Sequence, residues 1–317
     1  MSSIRGCFAA VVGIAIFGAA LARGEDQITR PEVSESACPV EVVSIPVPNA
    51  PNTPAVIRRP PGEGPFPAIV HLHGGLETWP LSRLKDDATK MPTTARFLAA
   101  GYVIVIPTFR PRSQDPQTTD ALNDCLAVVD YVKKMPQVDP NSVVVWGNSG
   151  GGSLALEMAG QTQLSSIVVE EPATVLFTGM FNRESLGGKP PFTSSSGNSR
   201  KIMADPKKYY TPELQKFTKD KIARISCPVF IALGGTSQIN KINDDIIIPE
   251  LKEAGKNPEV ILYPGQPHGF SKGASAAALK FYNDASAFIL KSLPTKPAAL
   301  DGSIVKAVPV QSKRGKR

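Results

Sequence analysis

The chain has 317 residues, of which 42% are hydrophobic and 20% charged. That composition supports a large buried core and excludes a disordered or fibrous protein. The formal net charge of +7 is unevenly placed: from Pro294 onward Lys296, Lys306, Lys313, Arg314, Lys316 and Arg317 face only Asp301. With this tail and Arg5 set aside the body is close to neutral, which argues against a nucleic-acid-binding surface.

The N-terminus reads as a targeting segment. Arg5 precedes an apolar run over residues 7–21, which ends at Ala20-Leu21-Ala22, a small-x-small cleavage pattern. The expected organisation is a signal peptide over 1–22, a loose leader over 23–40, one α/β domain over 41–293 and a disordered basic tail over 294–317. The expected location is outside the cytoplasm, periplasmic or secreted. The tail is expected to make at most weak, salt-screened contact with an anionic surface. Export permits disulfides, but Cys38, Cys125 and Cys227 are odd in number, so at most one bridge is expected.

In chain order, residues 41–47 alternate as a strand and 55–59 form a second short one. Pro60-Pro61-Gly62 and Gly64-Pro65 mark a turn. Residues 68–72 and 102–106 are short apolar runs of the buried-strand kind, separated by a helix over 93–100 that stops at Gly101. Residues 118–135 are helical, with Ala121, Leu122, Cys125, Val128, Val129 and Val132 on one face. A strand over 142–146 leads into a helix over 150–161, followed by a strand at 166–169. Strands at 229–233 and 259–263 enclose a helix over 244–254, and a last helix spans 274–290. Apolar strands alternating with amphipathic helices predict a mostly parallel, twisted sheet covered by helices on both faces. Residues 174–225 break the rhythm with Gly187-Gly188 and Pro190-Pro191 and are expected to form a small cap over the carboxyl ends of the strands.

Three motifs carry chemistry. Gly147-Asn148-Ser149-Gly150-Gly151 joins a strand to a helix, the setting of a nucleophile elbow. Such a turn lifts the Ser149 hydroxyl above the sheet and aims the Gly150 N–H at the same space, at a helix N-terminus that favours negative charge. His71-Leu72-His73-Gly74-Gly75 ends an early strand, and the turn Gly74–Gly75–Leu76 can offer a second oxyanion donor, from Gly75 or Leu76. His73 is read as holding that turn. Pro264-Gly265-Gln266-Pro267-His268-Gly269-Phe270 follows the last strand, and His268 can swing over the sheet top to take the proton of Ser149. No P-loop or dinucleotide fingerprint occurs, so no cofactor is expected, and three histidines argue against a zinc site.

Over about residues 67–290 the chain resembles the α/β-hydrolases, and most closely their dienelactone-hydrolase-like and prolyl-oligopeptidase-like branches. The resemblance rests on His73-Gly74-Gly75, the run from Gly101 to Pro107 with Arg110, the Val138-Asp139 turn, the elbow, and Tyr263 through Phe270. It implies a metal-free serine hydrolase acting on a small-molecule ester or other acyl compound, Ser149 being the nucleophile and His268 the base. An amidase or short-peptide peptidase, and a non-catalytic ligand-binding homologue, are the alternative readings. The resemblance also implies an acid in the loop after the strand 229–233, where this chain has Gln238. A glutamine accepts a hydrogen bond but supplies no charge. Glu170 and Glu171, after the strand that follows the elbow helix, are the favoured substitutes; Asp244 or Asp245 is the alternative.

Overall fold

A computed structural model describes residues 29–112, 119–180 and 197–309; for 197–200 it describes the backbone alone. The apolar N-terminal run and the basic run 310–317 lie outside the described residues.

The strands are β1 Thr29–Val33, β2 Glu41–Val47, β3 Ala50–Arg58, β4 Phe66–Leu72, β5 Val103–Pro107, β6 Val138–Asn148, β7 Ser166–Glu170, β8 Val229–Gly234, β9 Glu259–Tyr263 and β10 Val305–Pro309. Eight of them form one sheet in the order β2-β3-β5-β4-β6-β7-β8-β9. From β5 to β9 every pairing is parallel, while β3 runs antiparallel to both its neighbours. The helices are α1 Leu81–Lys90, α2 Pro92–Ala99, α3 Asp120–Lys133, α4 Gly150–Met158, α5 Thr174–Phe177, α6 Gly197–Ala204, α7 Pro212–Arg224, α8 Asn240–Ile242, α9 Ile248–Glu253 and α10 Ala276–Ser292. This is the mostly parallel, helix-covered sheet expected from the alternation of elements, in the architecture that the α/β-hydrolase resemblance implies.

The apolar-throughout strands follow from burial on two faces. Side chains alternate across a strand, so Val143, Val145, Ile167, Val169 and Ile231 join one core with α3, α4 and α9. Val144, Trp146, Val168 and Phe230 join a second, aromatic core with α2 and α10. Each fully buried Val or Ile side chain contributes on the order of 2 kcal/mol of transfer free energy. Cys38, Cys125 and Cys227 are buried and free, so among the described residues no bridge is formed.

The sequence reading fails at the ends of the chain. Thr29–Val33, expected as loose leader, pairs antiparallel with Val305–Pro309, expected as disordered tail. Between α10 and β10 the chain is strapped to the body: Thr295 N–H donates to Ser142 Oγ and Leu300 N–H to Ala99 O. The basic excess sits mostly beyond residue 310, and the segment before it has an alternating Val-Lys-Ala-Val pattern that suits a half-buried ribbon. Helix α1 was also missed, since only Leu84 and Ala88 of its ten residues are buried. The segment 174–225, expected as a cap, contains α5, α6 and α7, and its residues 181–196 lie outside the described residues.

Candidate active site

The site lies where the parallel strands end. Strand β6 delivers Ser149 into a turn with φ 53° and ψ −116°, a region that non-glycine residues rarely adopt. The strain, of order 1–3 kcal/mol, is held by neighbours on both sides. Ser149 N–H donates to Glu170 O at 2.9 Å, and Ser149 O accepts from Ala173 N–H at 2.8 Å and Ser153 N–H at 3.2 Å. The elbow thus leans on the end of β7. Gly150, the first residue of α4, comes so close to the early glycine turn that a Cβ there would stand 2.2 Å from Gly75 O. Only glycine lets these two backbones approach.

The turn after β4 is organised by His73. Its ring is buried and stacked between Trp79 and Phe109, with centroids 4.2 and 4.1 Å away. Nδ1–H donates to Gly74 O at 2.9 Å, and burial pushes the ring pKa down to about 4. His73 is therefore a neutral brace for the turn. Gly75, at φ 89°, sits directly beside the elbow. The Leu76 N–H differs from the expectation: it donates to the Glu77 carboxylate at 3.0 Å, so this donor is engaged by the protein's own side chain.

His268 lies in the loop after β9, with its side chain 45% exposed. Its Nδ1 is 3.0 Å from Glu171 Oε2, and Glu171 is fully buried. Two backbone groups complete the carboxylate's surroundings: Gly234 N–H donates to Oε1 at 3.1 Å and Gly269 N–H to Oε2 at 2.7 Å. All three partners are donors, which suits an acceptor-only carboxylate. Gly234 has to lack a side chain, since a Cβ would stand 2.6 Å from Glu171 Oε1. With Nδ1 facing Glu171, Nε2 is the ring nitrogen left for Ser149. Among the described residues no hydrogen bond yet joins Ser149 to His268; such bonds commonly tighten only with substrate in place.

The two glutamates after β7 separate sharply. Glu170 is not next to His268. It is the last residue of the strand, and alternation sends it to the aromatic face with Val168. There its carboxylate accepts from the Ser271 N–H at 3.2 Å and from the Ser271 hydroxyl. Burial pushes its pKa up. Glu171 follows at φ 44°, a left-handed turn that swings it over the sheet edge toward His268. Gln238 is exposed and not brought to His268. Asp244 is exposed on the helical stretch after α8, and Asp245 pairs with Lys241 at 2.8 Å. The separation of Glu170 from Glu171 was readable in part: strand parity distinguishes the last strand residue from the one beyond it. The positive φ was not readable.

The BD-FAE family matches residues 56–178, which include Ser149 and both glutamates. The quorum-quenching protein AidA of Acinetobacter baumannii is 30% identical over 131 residues, 38% of this chain and 40% of that protein. The acetyl esterase Axe7A of Xylanibacter ruminicola is 30% identical over 148 residues, 45% of this chain and 31% of that protein. The chain thus spans less than half the length of either relative. Among solved structures, a hyperthermophilic esterase from Pyrobaculum calidifontis aligns with TM-score 0.56 and 20% identity, covering 80% of this chain and 85% of that one. Carboxyl esterase 2 of Tuber melanosporum aligns with TM-score 0.61 and 16% identity, covering 81% and 87%. At these identities the structures establish a shared fold.

Proposed function

We propose that the chain is a serine hydrolase that cleaves carboxylic esters through an acyl-enzyme on Ser149. The observation that carries this is His268 paired with the buried Glu171 carboxylate, one residue on from Glu170, whose carbonyl holds the strained Ser149 turn. His268 Nε2 takes the hydroxyl proton as Ser149 Oγ attacks the ester carbonyl. The oxyanion so formed is met by the Gly150 N–H, with the Gly75 N–H, or Leu76 N–H once released by Glu77, as the second donor. His268 then returns the proton to the departing alkoxide, and water repeats the sequence to free the acid. Glu171 fixes the Nδ1–H tautomer and stabilises the imidazolium formed in each half-reaction.

Small esters are the proposed substrates, and the acetyl esterase relative makes acetyl esters the first to try. The chain's motifs from His73 to Phe270 favour the dienelactone-hydrolase-like and prolyl-oligopeptidase-like branches within the superfamily. Reaction with a fluorophosphonate tests the reading without a guess about substrate. Wild type is expected to be labelled and Ser149→Ala to remain unlabelled; a folded wild-type protein that resists labelling would favour a ligand-binding role. We also propose export, supported by Arg5, the apolar run 7–21 and Ala20-Leu21-Ala22. The purified protein is then expected to begin at Arg23, and retention of Met1 would end that proposal.

A further inference from the structure

Arg112 joins both halves of the oxyanion site. Its backbone N–H donates to Leu76 O at 2.7 Å, on the turn after β4. Its guanidinium donates to Gly150 O at 3.0 Å, on the first turn of α4. The same guanidinium reaches Glu157 Oε1 at 2.9 Å, one face of α4 further along, and only 7% of the Arg112 side chain is exposed. Glu157 is tied in turn by Lys221 Nζ at 2.9 Å, and Lys221 also donates to Phe177 O. One side chain therefore spans the elbow helix and, through its own backbone, the opposing turn.

The reason for an arginine is geometric. Gly150 and the Gly75–Leu76 turn are the candidate oxyanion donors, the Leu76 N–H being held by Glu77, and the carbonyls of Gly150 and Leu76 are both bound by Arg112. Glycines leave both backbones easy to turn: Gly150 lacks a side chain, and the Leu76 turn passes through glycines at 74 and 75, so the Arg112 bonds add to the restraint that α4 gives Gly150 and Glu77 gives the Leu76 N–H. A planar fork with fixed donor directions can bond a carbonyl and a carboxylate at once, which a lysine ammonium on a flexible stem does poorly. Glu157 compensates the buried charge and aims the fork.

We propose that Arg112 is a positioning residue that sets the spacing of the oxyanion donors, Gly150 on one side and the Gly75–Leu76 turn on the other. This rests on the serine-hydrolase reading above. It does not make Arg112 touch the substrate. A strut of this kind acts on the transition state, because only there does the carbonyl oxygen carry charge that needs both donors.

The test compares wild type, Arg112→Lys, Arg112→Ala and Glu157→Gln on an acetyl ester and on a fluorophosphonate. We expect Arg112→Lys and Arg112→Ala to lower kcat and the labelling rate together, by about 10- to 100-fold, as for small misplacements of catalytic groups. KM should stay within about twofold, and Glu157→Gln should show a smaller loss in the same direction. Millimolar guanidinium should restore part of kcat in Arg112→Ala and leave wild type unaffected. Where Arg112→Ala does not fold, Arg112→Lys and Glu157→Gln carry the comparison, each corrected for folded fraction. Unchanged kcat per folded molecule in the arginine variants, or a rise in KM alone, overturns the proposal while the serine-hydrolase reading stands. An inert, folded wild type overturns both.

Discussion

At the scale of single residues, the acid is the informative case. Glu170 and Glu171 are chemically identical neighbours, yet one binds the Ser271 backbone and hydroxyl and the other faces His268. Conversion of Glu171 to Gln keeps an acceptor oxygen but removes the charge that, in the proposed mechanism, stabilises the imidazolium. Turnover of Glu171→Gln is expected to fall by about 10²- to 10⁴-fold with little change in KM, in the range seen when a triad acid is neutralised. Glu170→Gln should cost far less in turnover and more in stability, since Ser271 also accepts from Thr93 Oγ1 and anchors the loop behind His268. Steady-state kinetics on both variants decides it: equal losses would mean that the two carboxylates act as one unit.

At the scale of elements, the terminal strap carries a prediction. Residues 294–309 close a two-stranded ribbon with β1 and dock on the body through Thr295 and Leu300. Thr295 Oγ1 also donates to Asp139 Oδ2 at 2.6 Å, in the turn that opens β6. A few hydrogen bonds at about 1 kcal/mol net each suggest that truncation after Leu293 removes about 2–4 kcal/mol. Calorimetry should show a Tm lower by about 5–10 °C. Activity at low temperature should persist, because the strap touches none of Ser149, Glu171 or His268. An unchanged Tm would mean that the ribbon adds nothing to the folded body.

At the scale of the whole molecule, the buried histidines link stability to pH. His71 is stacked on Trp146 with ring centroids 4.3 Å apart, and burial pushes its pKa down from 6.5 to about 3, with Lys272 and His73 adding to the effect. His73 is lowered to about 4. Both rings stay neutral in the folded protein and take up protons when it unfolds below about pH 6.5. The unfolded state then binds more protons, so their contribution to stability is complete above that pH and is lost progressively as pH falls toward 3. Glu170, whose carboxyl is raised by burial, works in the opposite sense. The readout is therefore a difference: His71→Phe, which keeps a ring against Trp146, should lower the pH slope of unfolding free energy by about 1.4 kcal/mol per pH unit between pH 4 and 6. Denaturant titrations across that range measure it, and identical slopes would show that His71 is already protonated or open to water.

Much of this architecture is written locally. Continuous valine and isoleucine runs separated by amphipathic stretches require a sheet buried on both faces, and glycines flanking Ser149 at a strand–helix junction require a sharp turn. Those features depend on neighbours in the chain, so the order of elements, the elbow and the His268 loop were legible. The sequence by itself determined the fold class and pointed to the nucleophile and base candidates of the proposed chemistry. Only the tertiary structure decided which carboxylate meets His268, because that depends on a left-handed φ at Glu171 and on β8 supplying the Gly234 N–H from 63 residues away. Only it joined residues 29–33 to 305–309, and it alone placed Arg112 between Gly150 and Leu76. These are contacts between segments distant in sequence, and no local pattern records which of several charged or apolar candidates packing will bring together.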